Sequence, residues 1–468
     1  MKTLASLFFA GLAAAICAQG DPEQLNKIVD EGKNHSQVVE RLHELAFDIG
    51  PRVTGSPELA KAQKWAMSHF KSWGLKNVHL EKWADIPVGF ERGKHSVGRM
   101  ILPEKADLTF TTNNWTQGTR GLEKGYVYKE PKTVDEVKAL GPKLKNSWIL
   151  CTNDVGMRGA VNKESAELKK ALDDAGIYGR IYGTTGIYVW SHGTFKDKTY
   201  EAHPMDVMVS IVKADYMKLS DAIDQGKPAE VEFNLENRWI KGPLPQYNVV
   251  AEIPGTEKPD EVVIVSGHLD SWNSPGSQGA NDNGTGTCVA LETARILAAT
   301  HTKPKRTIRF ILWSGEEEGL LGSKGYVEAH AADLDKISAV LVDDGGSNYH
   351  SGFTAYEVER PMLEQAFAAT NAAFPDMQLK FHPSADMTKA NGSDHAPFDW
   401  KGVPGLDVGQ AGKQKYVRVW HTQFDRFEEA VPEYLVQGAT DFAIVSYNLA
   451  NADTILPRVK LPVTAAAK

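Results

Sequence analysis

The chain has 468 residues, 42% of them hydrophobic and 24% charged, with a formal net charge of -8 at pH 7. This is ordinary globular composition with room for two domains, and it excludes a disordered or fibrous chain. The acidic balance gives no global pull toward nucleic acid or an anionic membrane, which leaves a small molecule or a peptide as the expected partner.

At the start, Lys2 precedes an apolar run over residues 4–16 and then small residues. The run is too short to cross a hydrocarbon core of roughly 30 Å as a helix and lacks a stop-transfer flank, so residues 1–18 read as a secretory signal peptide cleaved near Ala18. The expected location is secreted or periplasmic. No later stretch of about 18 apolar residues occurs, so no membrane span is expected. Cys151 and Cys288 are the only cysteines beyond the leader, which excludes a disulfide framework and reads as two structural thiols.

Apolar residues at 38, 42, 45, 46 and 49 follow helical spacing, and residues 57–73 read as a second helix, with proline at its start and Gly74 at its stop. Residues 77–83 alternate like a strand. Between about 91 and 241 the character changes: strand-like runs at 97–102, 148–152, 205–212 and 231–235 mix with glycines and two short helices. This stretch is read as a domain, residues 93–240, inserted between two parts of a catalytic domain, 19–92 and 241–468. After Pro245 the pattern is regular, with strands at 248–253, 262–266, 307–313 and 337–342, helices at 286–299 and 321–330, and a last helix at 433–448. Such alternation predicts an α/β sheet with helices on both faces.

The chemically informative residues fall just after predicted strands, where open α/β sheets place their ligands. The strand at 262–266 runs into His268 and Asp270. A lone histidine is more often structural than a ligand, but a ligating imidazole usually gives its other N–H to a carboxylate or carbonyl, and Asp270 stands two residues on. Asp282 lies among glycines and asparagines that open a helix; a helix cap is the plain alternative, and close backbone approach to something bound is the other. Glu316, Glu317 and Glu318 follow the apolar strand at 307–313. An acidic triplet is usually a solvated turn, but at the end of such a strand one carboxylate can hold a metal while its neighbour stays free to take a proton. Asp343 and Asp344 follow the next strand, and His421 comes with Asp425 four residues later. Mixed histidine and carboxylate ligation suits zinc, and a set this large, with one shared carboxylate, suits two metals roughly 3.5 to 4 Å apart.

The segments GHLDSW, GANDNGTG, SGEEEGLLGS, VDDGG, NGSDHAPF and HTQFD together resemble the ordered motifs of the co-catalytic dizinc exopeptidases, which include secreted bacterial aminopeptidases and carboxypeptidase Q, and residues 246–272 look closest to the carboxypeptidase Q branch. The resemblance covers residues 245–448 well and extends to RVTGSPE near the N-terminus. It implies a mixed sheet of the zinc-exopeptidase type and a strand-rich, protease-associated-like insert. It implies two zinc ions held by His268, Asp282, Glu317, Asp344 and His421, with Asp282 bridging, Glu316 as general base, and Asp270 and Asp425 supporting the ligands. Asp344 is preferred over Asp343 because the family aspartate immediately precedes turn residues. The gap from His268 to Asp282 is slightly longer than the pattern, and Ser393, Asp394 and His395 look like part of a substrate-wall loop.

The function this implies is hydrolysis of peptide bonds near the N-terminus of short peptides or dipeptides. The alternatives are a carboxypeptidase on the same scaffold, a zinc acyltransferase of the glutaminyl cyclase type, and a binding protein built on a dead peptidase. The insert either narrows the cleft or mediates a homodimer.

Overall fold

The computed structural model describes residues 20–152, 155–157, 163–202 and 206–459; the leader read over residues 1–18 lies outside them. The site is carried by an eight-stranded sheet made of β1 (Lys76–Arg92), β2 (Asn237–Ile253), β3 (Lys258–His268), β4 (Arg306–Trp313), β5 (Ile337–Val342), β6 (Tyr349–Tyr356), β7 (Lys380–Ser384) and β8 (Gly405–Ala411), in the order β1-β2-β4-β3-β5-β8-β6-β7. Strands β4, β3, β5 and β8 run parallel, while β1 with β2, β2 with β4, and β6 with β8 are antiparallel. The sheet is therefore mixed.

The near-continuous apolar runs of the central strands serve both faces. Along β3, Val263 and Val265 join Ile308, Phe310 and Leu312 of β4 in one core, completed by the helices Val38–His43, Pro57–Ser72, Thr285–Ala299 and Pro432–Asn451. Ile264, Ile311 and Trp313 face the other way, against Tyr326 and Val327 of helix Leu321–Ala329 and against Phe398. Each fully buried Ile, Leu or Phe is worth about 1.5–3 kcal/mol, so the strands that carry the site are also the most strongly held. Helix Pro57–Ser72 starts as its sequence predicts: Ser56 accepts a hydrogen bond from Leu59 N at 3.1 Å, and Pro57 fills the first position.

Between the ends of β1 and β2, a second eight-stranded sheet runs from Val97–Leu102 to Glu230–Asn234 around its own core, which includes Trp148, Ile181, Val209 and Phe233. It carries three helices, Val134–Leu140, Ala166–Asp174 and Lys213–Asp224, where the sequence suggested two. The strand predicted at 205–212 is Met208–Ile211, residue 205 lying outside the described residues. The strand predicted at 77–83 continues to Arg92, its inward residues Ile86, Val88 and Phe90 packing with Trp115 and Trp272. Pro87 and a register shift at Ile86/Val88 interrupt the alternation, and a proline inside a run normally argues against a strand. Helix Pro22–Asn34 went unread because it buries only Leu25, Ile28 and Gly32.

One close approach joins the loop at Asp282 to the turn at Asp343. Asn283 Nδ2 donates to the Asp343 carbonyl at 2.7 Å, its Oδ1 accepts from Gly286 N at 2.9 Å, and a Cβ on Gly286 would fall 2.0 Å from the Asp343 carbonyl oxygen. Gly286→Ala is expected to destabilise the metal-stripped protein by about 1–3 kcal/mol through this overlap, read from urea unfolding; an unchanged midpoint would contradict the packing.

Candidate metal centre

Three neighbouring parallel strands end side by side: His268 of β3 pairs in register with Trp313 of β4, and Ser266 with Val342 of β5. Their carboxyl ends deliver His268, the Glu316–Glu317 turn and Asp344 to one spot. Asp282 arrives on the loop preceding helix Thr285–Ala299, its peptide to Asn283 being cis. His421 follows the short helix Tyr416–Val419 at a φ of 58°, a backbone region that costs a non-glycine residue energy and is found at functional sites. Arg52, fully buried, ties the approaches together: it donates to the carbonyls of Leu269 and Gly279, on either side of the gap between His268 and Asp282.

The side chains form two sets that share Asp282. His268 Nε2 lies 3.2 Å from Asp344 Oδ1, 3.5 Å from Asp282 Oδ1 and 3.9 Å from Glu316 Oε2. His421 Nε2 lies 3.2 Å from Glu317 Oε2 and 3.3 Å from Asp282 Oδ2. Asp282 Oδ2 is buried and makes no hydrogen bond, a costly state for a carboxylate oxygen unless something else satisfies it. Asp343 points away from this group, accepting from Gln410 Nε2 at 2.7 Å and lying 3.1 Å from His350 Nε2.

Burial raises Glu317 to about 7, helped by the Asp282 charge, and it lifts Glu316 and Asp344 above the usual carboxylate range. Burial also opposes ionisation of Asp282, but the two histidines on either side hold its carboxyl below the ordinary value. Burial disfavours charge on His421 as well, yet Glu317 and Asp282 push it up to about 10. The protein alone thus carries more buried negative charge than it can balance and compensates by retaining protons. Divalent cations between the two sets would relieve all of these conflicts, so the donors fit zinc. A third cluster, Glu130, Cys151 and Glu164, has no such need. Arg180 Nε lies 2.9 Å from Glu164, Lys132 pairs with Glu130, and burial pushes the Cys151 thiol up to about 12.

Asp270 supports His268 as expected: His268 Nδ1 faces the Asp270 backbone carbonyl at 3.0 Å and its carboxylate Oδ1 at 3.6 Å, and the same carboxylate accepts from Glu316 N, Glu317 N and Thr54 Oγ1 at 3.4, 3.3 and 3.2 Å. Asp425 does not hold His421: its Oδ1 accepts from Asn281 N at 2.5 Å, fixing the residue before Asp282. His421 Nδ1 instead faces His192 Nε2 at 3.3 Å. Nothing in the sequence flagged His192, a lone histidine more than two hundred residues from its partner. Asp394 is buried behind the site against Ser323 Oγ, and His395 is buried with its Nδ1 unbonded.

Asp282, Glu316, Glu317, Asp344 and His421 open into a cleft of about 300 Å³, walled by Leu320, Asn391, Tyr416 and Trp420. That is the small end of the range for ligand sites.

Residues 248–443 match peptidase family M28. Over 91% of its length the chain is 28% identical to carboxypeptidase Q of Mus musculus, covering 88% of that protein. A shorter stretch, 34% of each chain, is 38% identical to leupeptin-inactivating enzyme 1 of Streptomyces exfoliatus. Among solved structures, the fold resembles a peptidase M28 precursor from Shewanella amazonensis (TM-score 0.68, 22% identity, 94% of this chain and 99% of that one). It also resembles a zinc aminopeptidase from Bacillus subtilis (TM-score 0.56, 22% identity, 88% and 93%). The family match covers the segment that holds every residue of the two sets, and together with kinship to carboxypeptidase Q along nine-tenths of the chain it identifies the protein as a hydrolase of the metallo-exopeptidase kind.

Proposed function

We propose that the enzyme holds two zinc ions and releases residues from the N-terminal end of short peptides, dipeptides included, outside the cytoplasm. The observation that carries the two-metal reading is Asp282: its two oxygens face two different histidines, at 3.5 and 3.3 Å, each histidine with a carboxylate of its own. In this reading His268 and Asp344 would hold one ion and Glu317 and His421 the other, with Asp282 within reach of both. Zinc bound there would supply a Lewis acid for the scissile carbonyl and would lower the pKa of water toward neutrality.

The protein's own contribution to proton traffic falls to Glu316. Its carboxyl is 3.9 Å from His268 Nε2 and about one-tenth exposed to the cleft, so it is at hand without being committed to an ion. Burial strengthens the Glu316 carboxylate as a base, and cations held beside it would offset enough of that burial to keep it ionised and able to accept a proton. Glu316 takes a proton from the attacking water and returns it to the leaving amine. Among the described residues, the cleft lining holds no lysine or arginine to pair with a free carboxylate end of a substrate, which favours recognition of the N-terminal end. Dipeptides fit the small cleft, and the leader pattern supports export.

Glu316→Gln is expected to keep both metal equivalents and lose about 10²- to 10⁴-fold in kcat, whereas Glu317→Gln should lose metal; the opposite pattern would exchange the two roles. In zinc-loaded enzyme, free dipeptides and short peptides should be hydrolysed and N-acetylated ones should not, with all activity lost on chelation. Cleavage of acetylated peptides at the same rate would refute the N-terminal assignment. Absence of any hydrolysis would favour the acyltransferase or binding-protein alternatives.

Metal binding should also be proton-linked. With His421 near 10 and Glu317 near 7 in the cation-free protein, protons occupy the site at pH 7 and must leave as ions enter, so affinity rises with pH. Calorimetric zinc titration at pH 7 is expected to release protons, seen as a binding enthalpy that changes with buffer ionisation enthalpy. A buffer-independent enthalpy would contradict the competition.

A further inference from the structure

We propose that His192, supplied by the segment between the two long strands β1 and β2, is the positioning residue for His421 and sets the strength of one metal position, so that the segment is part of the centre. This rests on the two-metal reading above. An imidazole that binds an ion through Nε2 must carry its proton on Nδ1, and its orientation is fixed by whatever accepts that N–H. For His268 the acceptor is local, the Asp270 carbonyl two residues away. For His421 the group in reach is His192 Nε2 at 3.3 Å, with the two rings edge to face at 4.5 Å between centroids.

The backbone around His192 is built to keep it there. Ser191 N donates to the His421 carbonyl at 2.9 Å, Trp190 pairs with Thr422 in an antiparallel bridge, and Val189 N donates to Gln423 Oε1 at 3.0 Å. From the other side Asn114 N donates to the His192 carbonyl at 2.7 Å, and the ring lies edge to face with Trp272 at 5.6 Å. These bonds hold both the His421 ring and its left-handed backbone, at a φ of 58°. Asp425, which the sequence offered for this task, is occupied with Asn281.

The test uses the full-length protein, stripped of metal and titrated with zinc, comparing wild type with His192→Phe, which keeps an aromatic ring beside Trp272 but removes the acceptor, and with His192→Gln, which restores an acceptor oxygen. The wild type should bind two equivalents. His192→Phe should bind one as before and the other about 10- to 100-fold more weakly, the melting temperature of the metal-free protein staying unchanged, and His192→Gln should recover part of the loss. Two equivalents bound by His192→Phe with wild-type affinity would overturn the proposal. So would weakening of both equivalents together with a lower metal-free melting temperature, the signature of a merely structural prop. A wild type that takes up only one equivalent would instead sink the two-metal reading, and this inference with it.

Discussion

A buried surplus of carboxylate is the constraint that organises this molecule. Asp282, Glu316, Glu317 and Asp344 converge with only two histidines between them, each carboxyl at most about one-tenth exposed. Removing that much charge from water is tolerable only if it is paired or neutralised. The raised pKa values of Glu316, Glu317 and Asp344 and the raised values of the histidines are the same imbalance seen from two sides. A chain optimised only for stability would not assemble such a group, so the cost is accepted for what the group can hold.

The sheet makes the cost bearable by rigidity. His268, Glu317 and Asp344 sit at or just past the ends of adjacent parallel strands whose register fixes their spacing, and those strands are apolar on both faces. The less regular donors, Asp282 and His421, are each immobilised by a partner distant in sequence: Asp425 acts on Asn281, Arg52 on Gly279, and Ser191 on His421. Regular structure thus positions half the centre, and long-range hydrogen bonds position the rest.

That division also explains what could be read from the sequence. The strands at 248–253, 262–266, 307–313 and 337–342 and the helices at 286–299 and 433–448 have strong periodicity, and all are found within a few residues of their expected ends, although β2 begins earlier. The ligand candidates were legible because they follow those strands directly. The support of His268 by Asp270 was legible from their spacing, but that of His421 was not, since spacing along the chain suggested Asp425. Hydrogen bonds of the folded state depend on side-chain direction, which a turn can reverse; Asp425 turns its carboxylate to the Asn281 N–H. His192 lay beyond reach because its proposed role exists only once two segments, separated by all the strands from β2 to β8, are brought together.

The use made of Asp270 has a further implication for Glu316 and Glu317. Both backbone N–H groups rest on one carboxylate, Glu316 N on Oδ1 and Glu317 N on Oδ2, and Thr54 Oγ1 donates to Oδ2 as well. From this shared anchor the two side chains diverge: Glu317 reaches His421 with Oε2 and accepts from Trp272 N at 3.3 Å with Oε1, while Glu316 stays near His268. In the roles proposed above, the residue that would hold an ion and the residue that would move the proton are therefore spaced by a single backbone turn rather than by two independent elements. Their separation cannot drift as loops breathe, and near-attack geometry is lost with displacements of about 1 Å. The same carboxylate lies 3.6 Å from His268 Nδ1, whose main acceptor is the Asp270 carbonyl at 3.0 Å, so one aspartate couples the position of that ring to the turn that carries both glutamates.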